Sequence, residues 1–360
     1  NDLTGQLRSA LDQFSGVPMI AFSVVATLVL AYLLWIGPID FWLVRKVLKR
    51  PIATWITFPL AVVVVSAGAY AAAYRLKGRE LRENSVELVD FDVEGRLVRG
   101  TAWSNFFSPQ AAAYQVELAP ELPDSIRPTA PPRTIVSWMG LPGEAIGGMS
   151  SPVAPPPLLP RPYHFSENLD RMEGVPISTW ATKSFTARWT AEAAPPIDAN
   201  LREEIDRMLS GRIENRLGFD LRDARLYYDR WVYPIPLLED GGSIAVDQTL
   251  QPLTARTMLT LQKMVGDQQN VTSYNEESSD VERIAQMMMF PELAGGHRYT
   301  RLSHGYQGFT DQSALVGQGR AVLAARVEVP GGQWRLDGKP VKMENRRHWV
   351  FYRFVFPVER

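Results

Sequence analysis

Two long uncharged runs near the start of the chain constrain its fold more than any other feature of the sequence. No charged residue occurs from Gln13 to Ile39, nor from Pro51 to Tyr74. An apolar run of about 18 or more residues is long enough to cross a hydrocarbon core as a helix. We therefore predict a transmembrane helical hairpin over residues 17–76. The alternative, two helices buried in a soluble core, fits two such runs in succession less well.

The short segment that joins the two runs is basic. Within residues 40–50, Asp40 is the only acid, and the basic residues are Arg45, Lys46, Lys49 and Arg50. Short loops rich in Lys and Arg stay in the cytoplasm, and aromatic side chains concentrate at both membrane interfaces. We expect the four basic residues to hold the loop at the cytoplasmic surface. The aromatic residues that fit the two interfaces are Trp35, Trp42, Trp55, Tyr70 and Tyr74.

The hairpin also carries a recognisable motif. The stretch IGPIDFWLVRKVLKRPIATWITFPL (36–60) resembles IGPxDYxLLRRLxRxxxTWxTFPL in a poorly characterised family of bacterial membrane proteins that is frequent in planctomycetes. Downstream blocks such as WATKSFTARW and GRAVLAARV resemble further parts of that family, from about Gly16 onward. The resemblance implies a further extracytoplasmic domain upstream, with which a start at Asn1 is consistent. It also implies neighbouring genes for ABC-transporter or MoxR/von Willebrand-type components, and no catalytic residues.

The motif residues have a physical interpretation as parts of a hairpin. We expect Gly37 and Pro38 to end the first helix and Asp40 to cap a short following helix. Thr54 or Thr57 would cap the second span. Two further motif residues, Trp55 and Pro59, lie at and just inside its start, where a missing N–H is tolerated. Contact with a partner protein is the alternative interpretation of this motif.

Residues 1–16 are predicted to form an amphipathic juxtamembrane segment. Leu3, Leu7, Leu11 and Phe14 fall on one face of a helix over residues 3–15. Two interpretations remain open at this point. The helix either extends the first span, or it lies in the outer interface or against a partner.

Residues 77–360 are predicted to be extracytoplasmic and rich in β-structure, as one or two subdomains. A hairpin is expected around Glu94-Gly95. Asp90 and Asp92 are expected on a solvated face, with a calcium site or a carboxylate pair as the weaker alternative. Further strands are expected at 113–119, 134–139, 177–189, 201–217, 224–238, 321–329 and 347–357. The start of the 201–217 segment also fits a helix, but we favour a long strand because Gly211 sits within the pattern. Two helices form a small insertion, one over 253–265 and one capped by Ser279 with Glu282 three residues later. Together these patterns predict a mainly β, sandwich-like region anchored by the helical hairpin.

The Pro-rich stretch near 140–162 admits two interpretations. It is either an extended surface connection or a docking peptide for an aromatic groove. We favour the connection, because modules that bind Pro-rich peptides are not expected in a bacterial envelope.

Composition excludes several classes of activity. The net charge of −1 gives no basic surface for nucleic acid. The absence of cysteine excludes thiol catalysis, thiolate zinc sites and iron–sulfur clusters. The histidines are His164, His297, His304 and His348. A metal site at His297 and His304 with Asp311 is a weak alternative to solvated loop histidines, and a hydrolase that uses His297 and His304 is equally weak.

We therefore predict a non-enzymatic subunit or scaffold of an envelope complex in the bacterial inner membrane. Its partners would be the lipid bilayer and other membrane subunits, without nucleic acid, cofactor or metal. The alternative is an accessory or ligand-binding subunit of an ABC-type transport system.

Overall fold

A computed structural model of the chain describes residues 2–17, 22–47, 49, 51–140, 163–265 and 268–360. It divides into two compact units, one formed by Asn1–Gln13 with Leu81–Arg360 and the other by Phe14–Glu80. Each unit is described by itself. Beyond Gly140, the Pro-rich connection lies outside the described residues, and so does Arg50.

The chain is mainly β. The helices are α1 (Leu3–Leu11), α2 (Phe22–Leu34), α3 (Asp40–Trp42), α4 (Thr54–Lys77), α5 (Ala255–Leu259), α6 (Val281–Met289), α7 (Pro291–Ala294), α8 (His297–Thr300) and α9 (Ser313–Gly317). The strands are β1 (Arg82–Asp92), β2 (Leu97–Ser108), β3 (Ala112–Ala119), β4 (Arg133–Trp138), β5 (His164–Phe165), β6 (Arg171–Ile177), β7 (Ala181–Glu192), β8 (Ile197–Glu203), β9 (Leu209–Asn215), β10 (Leu221–Tyr228), β11 (Trp231–Leu238), β12 (Ser243–Val246), β13 (Leu253–Thr254), β14 (Lys263–Val265), β15 (Gln268–Asn270), β16 (Arg320–Val327), β17 (Gln333–Leu336), β18 (Lys339–Pro340) and β19 (Arg346–Pro357).

A nine-stranded sheet organises the larger unit, in the order β13-β11-β10-β16-β19-β1-β2-β7-β4. Its central pair, β1 and β19, is parallel, with Val86 opposite Trp349, and the other described pairs of this sheet are antiparallel. The first and last strands of the larger unit therefore meet at its centre. The pairing therefore joins residues from the two ends of the 81–360 segment.

Both faces of this sheet are buried. One face packs on a five-stranded sheet (β18-β17-β3-β6-β5) and a three-stranded sheet (β12-β9-β8), with Val89 and Phe91 of β1 in the shared core. The other face packs on α1 and α6, with Val86 and Leu88 of β1 in that core. The mainly β prediction is confirmed, but a sandwich alone omits the helical layer. The alternating side chains of β1 pack into two cores. The expected solvated face is therefore wrong at Asp90, which is buried, whereas Asp92 is partly exposed.

The expected long strand over residues 201–217 is a hairpin. β8 and β9 pair with Leu201 opposite Gly211, and the turn between them holds Asp206 and Arg207 at positive φ. Gly211 has φ +139, and a Cβ there would lie 1.9 Å from the carbonyl oxygen of Asn200. The apolar spacing of four residues fits a long strand and a hairpin equally, because both arms keep the period of two.

The predicted helical insertion is shorter and differently capped. Helix is confined to Ala255–Leu259 within the expected 253–265 stretch. The Asp280 side chain, rather than Ser279, caps α6 by accepting from the backbone N–H of Arg283. Asp and Ser are comparable N-cap residues, so a Ser-Asp pair shifts the start by one position without a clear sequence signal. The buried α6 residues are Val281, Ile284, Ala285, Met287, Met288 and Met289.

Helix α1 belongs to the core of the larger unit. Leu3, Leu7 and Leu11 are buried with α6 and the helix-facing side of the central sheet. The side chain of Gln6 donates to the backbone oxygen of Asn275 at 2.9 Å and accepts from the Tyr274 hydroxyl at 2.7 Å. Neither of the two interpretations of this helix anticipated packing on residues some 270 positions away in sequence.

The smaller unit contains two helices that are long and apolar enough to cross a membrane. They are Phe22–Lys46, of 25 residues, and Thr54–Ala72, of 19 residues, and the apolar stretch of each is unburied. The first helix does not end at Gly37 and Pro38, as expected from the sequence. It continues through π-helical turns at Trp35–Ile39 and Leu43–Val47. Pro38 lies in the first of these turns, and the wider π-helical turn tolerates its missing N–H.

Candidate functional site

The hairpin residues selected from the sequence fall in and around the first helix and the start of the second. Arg45, Lys46 and Lys49 are exposed, and the Arg45 guanidinium lies 5.1 Å from the centre of the Phe41 ring. Gly37, Pro38, Trp55 and Pro59 are also exposed on the helices.

Two of the expected caps are absent. Asp40 is buried and is the first residue of α3, but its backbone N–H bonds to the oxygens of Trp35 and Gly37, so it continues the preceding helical turns and does not cap a new helix. Ala53, rather than Thr54 or Thr57, is the N-terminal cap of α4, and it forms no side-chain capping bond. The hairpin is therefore built with fewer side-chain caps than its sequence suggests.

The histidines do not gather at one place. His164 lies in β5 beside Glu173, 3.0 Å away, and His297 is exposed at the start of α8. His304 bonds to Thr310 Oγ1 through Nε2 at 2.9 Å, and burial lowers its pKa. Among the described residues, no group of three or more potential ligands could hold a metal ion, so His297, His304 and Asp311 do not form such a site.

A buried polar chain that sequence reasoning missed runs across β1 and β19. The Ser85 hydroxyl lies 2.8 Å from His348 Nδ1 and donates to Glu83 Oε1 at 2.6 Å. His348 Nε2 lies 3.9 Å from Glu87 Oε2, which accepts from the backbone N–H of Gly332 at 2.6 Å. The other Glu87 oxygen accepts from Trp189 Nε1 at 2.8 Å. The only sequence signal was the run of polar residues at alternate positions of β1.

Burial governs the protonation of this chain. Burial raises the pKa of both Glu83 and Glu87, whereas it lowers the pKa of His348 to about 3, with the Arg346 charge acting in the same direction on the histidine. The imidazole is therefore neutral at physiological pH. Ser85 is fully buried. The Ser, His and Glu side chains join the first and last strands of the larger unit.

A second buried cluster lies on the helix-facing side of the same strands. Asp90 Oδ1 accepts from Arg353 Nε at 2.6 Å and from Gln312 Nε2 at 3.0 Å, and Asp90 Oδ2 accepts from Arg99 at 2.8 Å. The Arg353 side chain, fully buried, also donates to the backbone oxygen of Thr310 at 2.6 Å. This cluster ties the 305–313 segment to the centre of the sheet.

A cavity of about 250 Å³ opens on that helix-facing side, between α6 and strands β10, β16 and β19. Its floor is buried and apolar, and it consists of Tyr227, Met289, Phe290, Ala324 and Phe351. The Tyr227 and Phe290 rings stack with centroids 4.1 Å apart. Ala324 contributes only a methyl group between Arg225 and Arg353 on the neighbouring strands, which leaves the space open.

Three arginines stand at the rim of this cavity. Arg326 pairs with Glu282 at 3.0 Å, and Arg222 pairs with Asp220 at 3.5 Å. Arg225 is half-buried, and no ion pair joins it to a described residue. Burial raises the pKa of Tyr227, so its hydroxyl keeps its proton. Of the surfaces described, this one combines an apolar floor with polar groups that converge on it, as small-molecule sites do.

Comparisons with known proteins give a family match for part of the chain. Residues 196–351 match the model of a domain of unknown function, DUF8725. All residues that line the cavity fall within this matched segment. A search of the curated proteins finds no match.

Among solved structures, the chain is similar to the yeast delta-COP-I mu-homology domain in two forms. The form complexed with a Dsl1 WxWxV peptide is 8% identical, with a TM-score of 0.25 over 76% of this chain and 94% of that one. The form named without a peptide is 8% identical, with a TM-score of 0.23 over 77% of this chain and 95% of that one. Likeness at this level carries no argument about function.

Proposed function

We propose that the protein is a non-enzymatic, membrane-anchored subunit or scaffold of a bacterial envelope complex. In this proposal the helical hairpin crosses the inner membrane, and the mainly β unit stands on the extracytoplasmic side. The two apolar helices, whose apolar stretches are unburied, support the anchoring role. The fully buried Ser85 supports a structural, non-catalytic role for the Ser, His and Glu arrangement.

The way the chain connects the hairpin to the mainly β unit is the observation that supports this proposal most. The segments 2–13 and 81–360 lie on either side of the hairpin in sequence, yet they form one folded unit. A folded unit lies on one side of a membrane, so two spans that cross must run in opposite directions. The basic residues at the turn favour the cytoplasm for the turn, and hence the opposite side for the folded unit.

A second candidate function is an accessory or ligand-binding subunit of an ABC-type transport system. The observation that favours it is the cavity beside α6, which offers an apolar floor and a cation to a small ligand. A scaffold with no ligand would not need such a site.

Gentle extraction of the full chain from native membranes, followed by mass spectrometry, tests both proposals. We expect partner membrane proteins at a fixed ratio, in excess over those recovered with an unrelated two-span protein extracted in parallel. An ATPase among them would support the transport function. Elution as a lone chain, with in-membrane cross-linking that joins it to no other protein, would contradict both complex-based proposals.

A further inference from the structure

We propose that the cavity between α6 and strands β10, β16 and β19 binds a small organic carboxylate with an apolar body. This goes beyond a role as scaffold, because it assigns a ligand site to the mainly β unit. The proposal depends on three properties of the cavity, namely its floor, its free cation and its size. None of them depends on whether the hairpin crosses a membrane.

The apolar floor of the cavity favours a ligand with an apolar body. Tyr227, Phe290 and Phe351 present aromatic surface, and Met289 adds an adaptable thioether chain. Met side chains reshape around different apolar ligands. A volume of about 250 Å³ lies at the lower end of ligand sites, so the body is the size of a single ring or a short aliphatic chain.

The arginines at the rim of the cavity favour a ligand that carries a carboxylate. Two of the three rim arginines have acidic partners, whereas Arg225 has none among the residues that the structure describes. A half-buried guanidinium with no acidic partner favours a carboxylate, which it binds through two parallel bonds. The protonated Tyr227 hydroxyl, two positions along the same strand, offers a second donor.

The remaining acids of the rim do not reverse this preference. Asp223 and Glu328 line the cavity, but both are exposed. Their charges are screened by water and salt, whereas a partly buried charge is screened much less. The charge that a ligand meets on the floor side is therefore that of Arg225.

Three isosteric probes separate the contribution of charge from that of shape. Benzoate, benzamide and benzamidine have the same size and carry a negative, zero and positive charge. They are titrated against the full chain in nanodiscs, and the labelled Met289 methyl group is followed by NMR. A Met289→Leu variant assigns that signal, since the exchange conserves volume. Empty nanodiscs correct for partition into lipid.

We expect benzoate to shift the Met289 signal and to bind about tenfold or more tightly than benzamide, with benzamidine weakest, because a charge-assisted pair is much stronger than a neutral bond. Arg225→Met should remove the preference for benzoate. Arg212→Met, an equal charge change on the exposed face of β9, should leave it intact. Ala324→Leu should fill the cavity and abolish binding of all three probes.

Three results would overturn the proposal. They are no shift of the Met289 signal at saturating benzoate, equal or tighter binding of benzamidine, or an unchanged preference for benzoate in Arg225→Met. The ranking of probes on the unmodified chain decides the matter even where Ala324→Leu fails to fold. A lone chain with an intact preference for benzoate would contradict the scaffold function and leave this site standing.

Discussion

At the scale of single residues, the interior of the mainly β unit is more polar than its sequence suggests. Alternate polar residues in a strand predict a solvated face, yet Glu83, Glu87 and Asp90 are all buried. His348, which lies beside Ser85 and Glu87, and Arg353, which pairs with Asp90, are more than 250 positions away in sequence. Local pattern carries no information on such a pairing, so the buried clusters and the cavity could not be predicted.

The pair of Asp90 and Arg353 should dominate the stability of the sheet centre. Asp90→Ala leaves a fully buried guanidinium without its carboxylate, and we expect the free energy of unfolding to fall by about 3 kcal/mol. Urea unfolding followed by tryptophan fluorescence measures this change. The control is Glu359→Ala, which removes an exposed partner of Arg202 and should cost about 0.5 kcal/mol or less. Equal losses in the two variants would contradict the assignment.

His348 should make stability depend on pH. Its pKa is lowered from 6.5 to about 3, so the unfolded chain binds more protons than the folded one between these values. Stability contributed by His348 is therefore lost as the pH falls through this window, by up to about 1.4 kcal/mol per pH unit. The raised pKa of Glu87 acts in the opposite sense, since its contribution is present below its unfolded pKa and is lost as the pH rises.

Comparison with a His348→Gln variant isolates the histidine. The slope of unfolding free energy against pH, measured between pH 4 and 6, should be less positive in the variant by about one proton. Parallel slopes would show that the imidazole titrates normally in the folded chain.

At the scale of elements, the sequence predicts that a strand or helix forms better than it predicts where that element begins and ends. The hairpin of β1 and β2, and the strands β3, β4, β16 and β19, appear where the alternation indicated them. Errors occur where a period of two survives a turn, as between β8 and β9, or where neighbouring residues cap equally well. The predicted helix over 253–265 is wrong, because the same apolar spacing also fits the short helix α5 followed by the strand β14.

The start of α6 offers a direct test of one such error. Asp280→Ala removes the bond to the Arg283 N–H, and we expect a loss of about 1 kcal/mol in the free energy of unfolding. Ser279→Ala is the matched control, one position earlier, and should have little effect. A larger loss in Ser279→Ala than in Asp280→Ala would instead identify Ser279 as the N-cap, as the sequence suggested.

At the scale of the whole molecule, the sequence indicated the apolar helices and the mainly β region but not how the two ends of the larger unit join. Leu3, Leu7 and Leu11 suggested an amphipathic helix, and nothing local indicated that its apolar face packs beside α6. That packing makes one folded unit from segments on both sides of the hairpin. In the proposed function, the basic turn predicts the extracytoplasmic side of the membrane for this unit.

Single cysteines report this topology directly, because the natural chain has none. Ser9→Cys and Ser279→Cys place exposed thiols on α1 and beside α6, and Lys49→Cys places one in the turn. In intact spheroplasts treated with an impermeant maleimide, we expect the first two to react and the third to react only after permeabilisation. Reaction of Ser9→Cys and Ser279→Cys from opposite sides of the membrane would contradict the account.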